Sequence, residues 1–152
     1  MKKSVATLAA LAIVAVIAVP ALGSSASAAS AEHLVGAFPN QDDNTNGGYL
    51  LYSDGKVVTL GGAPYYGNGL SAKVNNFVAL VSDSQDPGYW LITSTGKIVS
   101  VGELCSDGET LQGHRVAGTI VGAVNPTGSD DEGFDEVNSA GATSELQCNF
   151  NF

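Results

Sequence analysis

Side chains with chemistry to offer gather at a few places in this chain. Asp42, Asn44 and Asn46 place oxygen ligands at alternate positions ahead of Gly47, like the opening of a calcium loop. Such a loop also needs a glutamate at its twelfth position, where this chain has Ser53. Solvated turn residues are therefore the simpler account, and calcium is the one cofactor the stretch suggests. Ser129-Asp130-Asp131-Glu132, with Asp135 and Glu136 close behind, reads more simply as an exposed acidic loop than as a cation site. His33 and His114 are the two imidazoles, and neither stands in a metal-binding spacing. The sequence has no Gly-x-Ser-x-Gly elbow to mark a nucleophile, and both cysteines are spoken for below. The chain reads as non-catalytic, with a small hydrolase using loop acids as the residual enzymatic alternative.

Aromatic residues offer more. A sugar's C–H face stacks on a ring while its hydroxyls need polar partners, so aromatics beside Asn, Asp and Gly suit a glycan. Tyr65-Tyr66 followed by Gly67-Asn68-Gly69 sits in a turn-rich stretch, where binding residues concentrate. Tyr65, Tyr66 and Asn68 form the leading candidate contact surface, with Tyr49 and Trp90 as further candidates. For Tyr89 and Trp90 the competing and simpler role is packing between structural units.

The elements that position these groups repeat. Gly88-Tyr89-Trp90-Leu91-Ile92-Thr93-Ser94-Thr95-Gly96-Lys97-Ile98-Val99-Ser100-Val101-Gly102 reads as two strands around a tight turn. A copy lies 41 residues earlier, from Gly47 through Asp54-Gly55 to Gly61, and a weaker copy 45 residues later, from Gly133 through Ala140-Gly141 to Thr143. An apolar strand precedes each pair, at His33–Phe38, Phe77–Val81 and Ile120–Val124, and Val35, Val78 and Val121 recur every 43 residues. Strict alternation predicts that Val58, Leu60, Val99 and Val101 point to a buried side while Thr59 and Ser100 point away. Asp54-Gly55 predicts a two-residue turn with positive φ at both positions. A fourth short segment is expected at Ala63–Asn68 and again at Leu104–Gly108. The reading is all-β: three tandem repeats of about 43 residues, roughly 33–76, 77–119 and 120–152, built as propeller-type blades or as a three-fold, β-trefoil-like body.

The first 28 residues carry a different signal. Lys2 and Lys3, an uncharged apolar run from Val5 to Val19, Pro20 and the small-residue tail Ala26-Ser27-Ala28 match a secretory signal peptide, with cleavage at about 28–31. Fifteen apolar residues fall short of the roughly 20 that span a bilayer. The mature protein, 29–152, is then expected to be one secreted, extracellular domain outside the membrane. Only Lys56, Lys73, Lys97 and Arg115 remain there against 15 carboxylates. Such a surface repels phosphate backbones and anionic lipids, which argues against nucleic-acid and membrane partners. Cys105 and Cys148 are 43 residues apart, one repeat, and an exported chain is expected to join them in a disulfide.

Gly88-Tyr89-Trp90-Leu91 through Gly102, and Asp54-Gly55 through Gly61 with Ala63-Pro64-Tyr65-Tyr66-Gly67, resemble a GYWL/DG-type tandem repeat of secreted proteins from high-GC Gram-positive bacteria. The resemblance implies propeller-like blades, often found beside extracellular enzymes or alone without assigned activity. This chain departs from it by Val58, Leu60, Val99 and Val101 in place of second-strand aromatics, by Lys56 and Lys97 after the turn, and by Asp135 at the Trp90 position. Closed propellers take four to eight blades, so three units imply either a homo-oligomer that pools blades or closure within one chain. The functional expectation is a secreted binding module for a glycan, cell-wall polymer or protein. A structural or self-assembling surface protein is the alternative.

Overall fold

The computed structural model describes residues 31–41, 46–105, 110–125 and 133–149. They form ten strands in three antiparallel sheets. Sheet 1 runs β1 (Leu34–Pro39), β2 (Gly47–Tyr52), β3 (Val57–Gly61). Sheet 2 follows as β4 (Phe77–Ser82), β5 (Gly88–Thr93), β6 (Ile98–Gly102), after a 3-10 turn at Leu70–Ala72. Sheet 3 has four strands: β8 (Ile120–Val124), β9 (Gly133–Asn138), β10 (Thr143–Asn149), and β7 (Thr110–Gly113) on the far side of β10. The chain is thus all-β, as its alternation and its wealth of valine, threonine and tyrosine predict.

Local geometry recurs from sheet to sheet. A bulge interrupts the register at Leu34/Gly36, at Phe77/Ala79 and at Ile120/Gly122. Each hairpin turns on a glycine of positive φ, Gly55, Gly96 or Gly141, whose N–H donates to the carbonyl of Tyr52, Thr93 or Asn138 at 2.9 Å. Asp54 does not share the positive φ expected of it. The loop has three residues, Ser53 to Gly55, so one left-handed residue at its end suffices to match the strand twist. Asp54 instead uses its carboxylate, accepting from the Lys56 N–H at 3.0 Å. The first two turns also reach the next sheet: the Ser53 carbonyl accepts from Phe77 N–H at 3.1 Å, and that of Ser94 from Ile120 N–H at 2.9 Å.

The sheets stack face to face with sheet 2 in the middle, so β5 is buried along its whole length. One core fills the gap between sheets 1 and 2, with Tyr49, Leu51 and Val57 against Phe77, Leu80, Tyr89, Leu91 and Val101. A second fills the gap between sheets 2 and 3, with Ala79, Val81, Trp90 and Ile92 against Ile120, Phe134 and Leu146. Trp90 and Phe134 meet there with ring centroids 5.3 Å apart. Burying a ring of this size dominates the energetics of such a gap.

Two expectations change. Val99 and Val101 do face a core, but Val58 and Leu60 at the same register in sheet 1 are 36% and 43% exposed, while Val57 is buried. The alternation is right; the reason for the exposure is that nothing precedes sheet 1 among the described residues to cover that side. The expected fourth segment at Ala63–Asn68 forms no strand. Pro64 removes a ladder donor there, and the segment is held by a side chain instead. Leu104 and Cys105 precede β7, which pairs with sheet 3; the rest of the second fourth segment, from residue 106, lies outside the described residues.

Cys105 and Cys148 form the disulfide, with Cα atoms 5.1 Å apart. Among the described residues no helix is long and apolar enough to cross a membrane.

Candidate functional site

Tyr89 organises the surface around the tyrosine pair. It lies in β5 with no exposed surface, and its ring stands 4.9 Å from that of Tyr49 and 5.7 Å from that of Tyr66. The three rings run from the core outward. At the outer end the Tyr89 hydroxyl donates to the Gly67 carbonyl at 2.5 Å and accepts from the Gly67 N–H at 3.2 Å. Gly67 has a φ of 143° and presses on β6, where a Cβ would sit 2.9 Å from Val101 Cγ1. A buried phenol thus pins an irregular loop that has no ladder of its own. Burial pushes the Tyr89 phenol up to about 12, against the opposing pull of the Gly67 hydrogen bonds.

Pinned this way, Tyr66 forms one wall of a cleft of about 230 Å³. The other walls are Asn40 and the turn from Asp83 to Gly88 that joins β4 to β5. Asp83 shapes that turn: it is 5% exposed, and its Oδ1 accepts from the N–H of Gln85 at 2.7 Å and of Asp86 at 3.1 Å. Asn40 is placed by its own N–H, which donates to Gly47 at 3.1 Å, and by the Tyr49 hydroxyl, 3.3 Å from Asn40 Oδ1. Ser82 locks the neighbouring strand ends of sheets 1 and 2, donating to the Pro39 carbonyl at 3.2 Å and accepting from Gln41 N–H at 2.9 Å. The cleft is therefore lined by one aromatic side chain, the amides of Asn40 and Gln85 and an acidic turn.

The candidate residues are distributed unevenly around it. Tyr66 lines the cleft. Tyr65 is 56% exposed and accepts from the Asn68 side-chain amide at 3.0 Å, while Asn68 Oδ1 accepts from Leu70 N–H at 3.1 Å. The pair sits on the same loop, outside the cleft lining. Tyr49 and Trp90 are corrected outright: both are 0% exposed in the two cores, so neither can touch a ligand. Asp42 and Asn44 lie outside the described residues; Asn46 is exposed, and its carbonyl accepts from Gly62 N–H at 2.7 Å. Among the described residues no three His, Cys, Asp or Glu side chains converge as metal ligands do. His33 lies apart at the start of β1, and His114 borders a wider polar groove with Gln112, Glu145 and Gln147. Asn40 and the Asp83–Asp86 turn were missed as site residues. The signal was there in Ser82–Pro87, a polar turn rich in groups that bond their own backbone, but nothing local ties it to Tyr66.

Compared with protein-family models, curated proteins and solved structures, the chain matches none.

Removing the Tyr89 hydroxyl tests the frame. Tyr89→Phe keeps the ring stack but deletes both bonds to Gly67, an expected loss of about 0.5–1.5 kcal/mol for each. The phenol's raised pKa also gives a sign. Its contribution is fully present below pH 10, the ordinary tyrosine value, and is lost as pH rises through about 12. Urea midpoints measured from pH 8 to 12 should fall more steeply for the wild type than for Tyr89→Phe.

Proposed function

We propose that the protein is an exported, non-catalytic module of propeller-like build that binds a glycan through the Tyr66 cleft. The observation that carries this reading is the cleft itself: the Tyr66 side chain beside Asn40, Gln85 and Asp86. A pyranose presents C–H bonds on its faces and hydroxyls on its rim, and that pairing needs one ring and several polar partners at its edge. The volume supports a single sugar unit, because pockets for drug-sized ligands run to roughly 300–1,000 Å³. Tyr65 and Asn68 continue the loop and suit the next unit of a polymer, such as a cell-wall chain. The acidic surface favours a neutral or basic glycan over a sulfated or phosphorylated one.

What supports the propeller-like build is three stacked sheets in which β4 lies between β1 and β8, with the same bulge and the same turn in each sheet. A trefoil-like body would instead pair strands of all three units into one barrel. Export is supported by the amino-terminal pattern and by the disulfide.

The test is a glycan array followed by calorimetry on the mature, oxidised protein. Tyr66→Ala is expected to weaken binding at least tenfold, about 1.4 kcal/mol. Tyr65→Ala should weaken a polymer more than its single sugar. Binding that ignores Tyr66→Ala, or no binding to neutral or basic glycans, would overturn the reading.

A further inference from the structure

Sheet 1 presents an apolar face whose equivalents in the other sheets are covered. Leu34, Phe77 and Ile120 open the three sheets at the same bulge; Phe77 and Ile120 are 2% exposed, Leu34 52%. Leu50 pairs with Val58 as Leu91 pairs with Val99, and Leu60 stands where Val101 stands. In sheet 2 that side packs on sheet 1, and in sheet 3 it packs on sheet 2. In sheet 1 it carries Leu34, Ala37, Leu50, Tyr52, Val58 and Leu60, with no carboxylate among them. At its rim Lys56 reaches Glu32 at 3.1 Å, lies 4.8 Å from the centre of the Tyr52 ring and is also close to Asp54, so the carboxylates are confined to that rim and partly neutralised there.

We propose that this face docks against the same face of a second copy, giving a two-fold symmetric dimer. Charge chooses the occupant. The chain carries 15 carboxylates, so copies repel wherever acids meet, and they must associate through a patch free of them. The opposite end of the stack, the outer side of sheet 3, carries Asp135 and Glu145 as cross-strand partners. Pressing those acids onto Leu50 and Leu60 would strip their water without a cation to pair with. Head-to-tail closure into a ring is therefore disfavoured, while an apolar face meeting its own copy is self-complementary, as a two-fold interface requires. Sheet-on-sheet packing already occurs twice inside the chain, there between unlike faces.

Size sets the strength. Three strands at about 4.8 Å spacing and five residues at about 3.3 Å cover on the order of 250 Å² of sheet. A standard interface buries roughly 800 Å² per partner. The dimer is therefore a weak one that forms with rising concentration.

The experiment is sedimentation of the mature, oxidised protein from 10 µM to 1 mM (about that range spans weak association), with Val58→Lys, Leu60→Lys and Asp135→Lys. The proposal expects a concentration-dependent dimer that either sheet 1 substitution shifts at least tenfold toward monomer and that Asp135→Lys leaves in place. Val58 and Leu60 are exposed, so near-ultraviolet dichroism should confirm intact folding in both variants. A monomer throughout, a dimer indifferent to both lysines, or assembly that Asp135→Lys changes would overturn it. The outcome does not depend on the Tyr66 cleft.

Discussion

Glu136→Leu is expected to stabilise the protein by about 1–4 kcal/mol, the range found when buried ion pairs give way to packed apolar side chains. Glu136 is 0% exposed on the side of β9 that faces sheet 2, and neither carboxylate oxygen has a hydrogen-bond partner among the described residues. Its cross-strand neighbour Ser144 and the facing Trp90 carry buried polar atoms in the same condition, Oγ and Nε1. The positions that correspond to Glu136 in the other sheets are Leu50 and Leu91, so leucine already fits this backbone. Burial raises the Glu136 pKa above its ordinary value, and the nearby Arg115 charge only partly offsets that. The sign follows: a raised carboxyl pKa means that the folded state holds the proton more tightly. Its contribution is therefore fully present below the unfolded value, about 4.3, and is lost as pH rises through the folded one. Guanidinium midpoints from pH 4 to 8 should show wild type and Glu136→Leu closest in acid and furthest apart at neutral pH. Glu136→Gln should give a smaller gain, since the amide still goes unpaired. A leucine variant that melts below wild type at pH 7 would mean the carboxylate has a partner that holds it.

Much of this was legible because strand patterning is local. Val, Tyr, Ile and Thr at period two, cut by Asp54-Gly55 and Thr95-Gly96, place the hairpins of sheets 1 and 2 within a residue or two of where they lie. The cysteine pair foretold the bridge, which ties the segment leading into β7 to β10. Other features depend on what stands opposite. Val58 and Val99 carry the same side chain at the same register, and the presence of a preceding sheet decides which one packs against a core. Tyr49 and Trp90 look like ligand platforms in sequence because a large ring suits a core and a sugar equally well. Tyr66 is held at the cleft wall through Tyr89, 23 positions away, whose hydroxyl grips Gly67. Such a link cannot be read from neighbours along the chain.

Breaking the disulfide is the second large effect, an expected loss of roughly 3–4 kcal/mol from the closure of a 43-residue loop. The loss should be local. Cys148 lies in β10, paired with Leu111 of β7, and Cys105 sits in the segment that leads from sheet 2 to β7. β7 has four residues and, among the described residues, pairs with β10 alone. Sheet 3 also carries the buried, unpaired Glu136 and has Asp135 where sheet 2 has the core ring of Trp90. In Cys105→Ser/Cys148→Ser, hydrogen exchange should show β7 and β10 amides losing protection first while those of β5, buried on both faces, keep theirs. Adding Glu136→Leu to that variant should recover a large part of the loss, because both changes act on the same sheet. Equal loss of protection in all three sheets, or a recovery no larger than a surface substitution gives, would mean that the bridge steadies the whole stack rather than its weakest member.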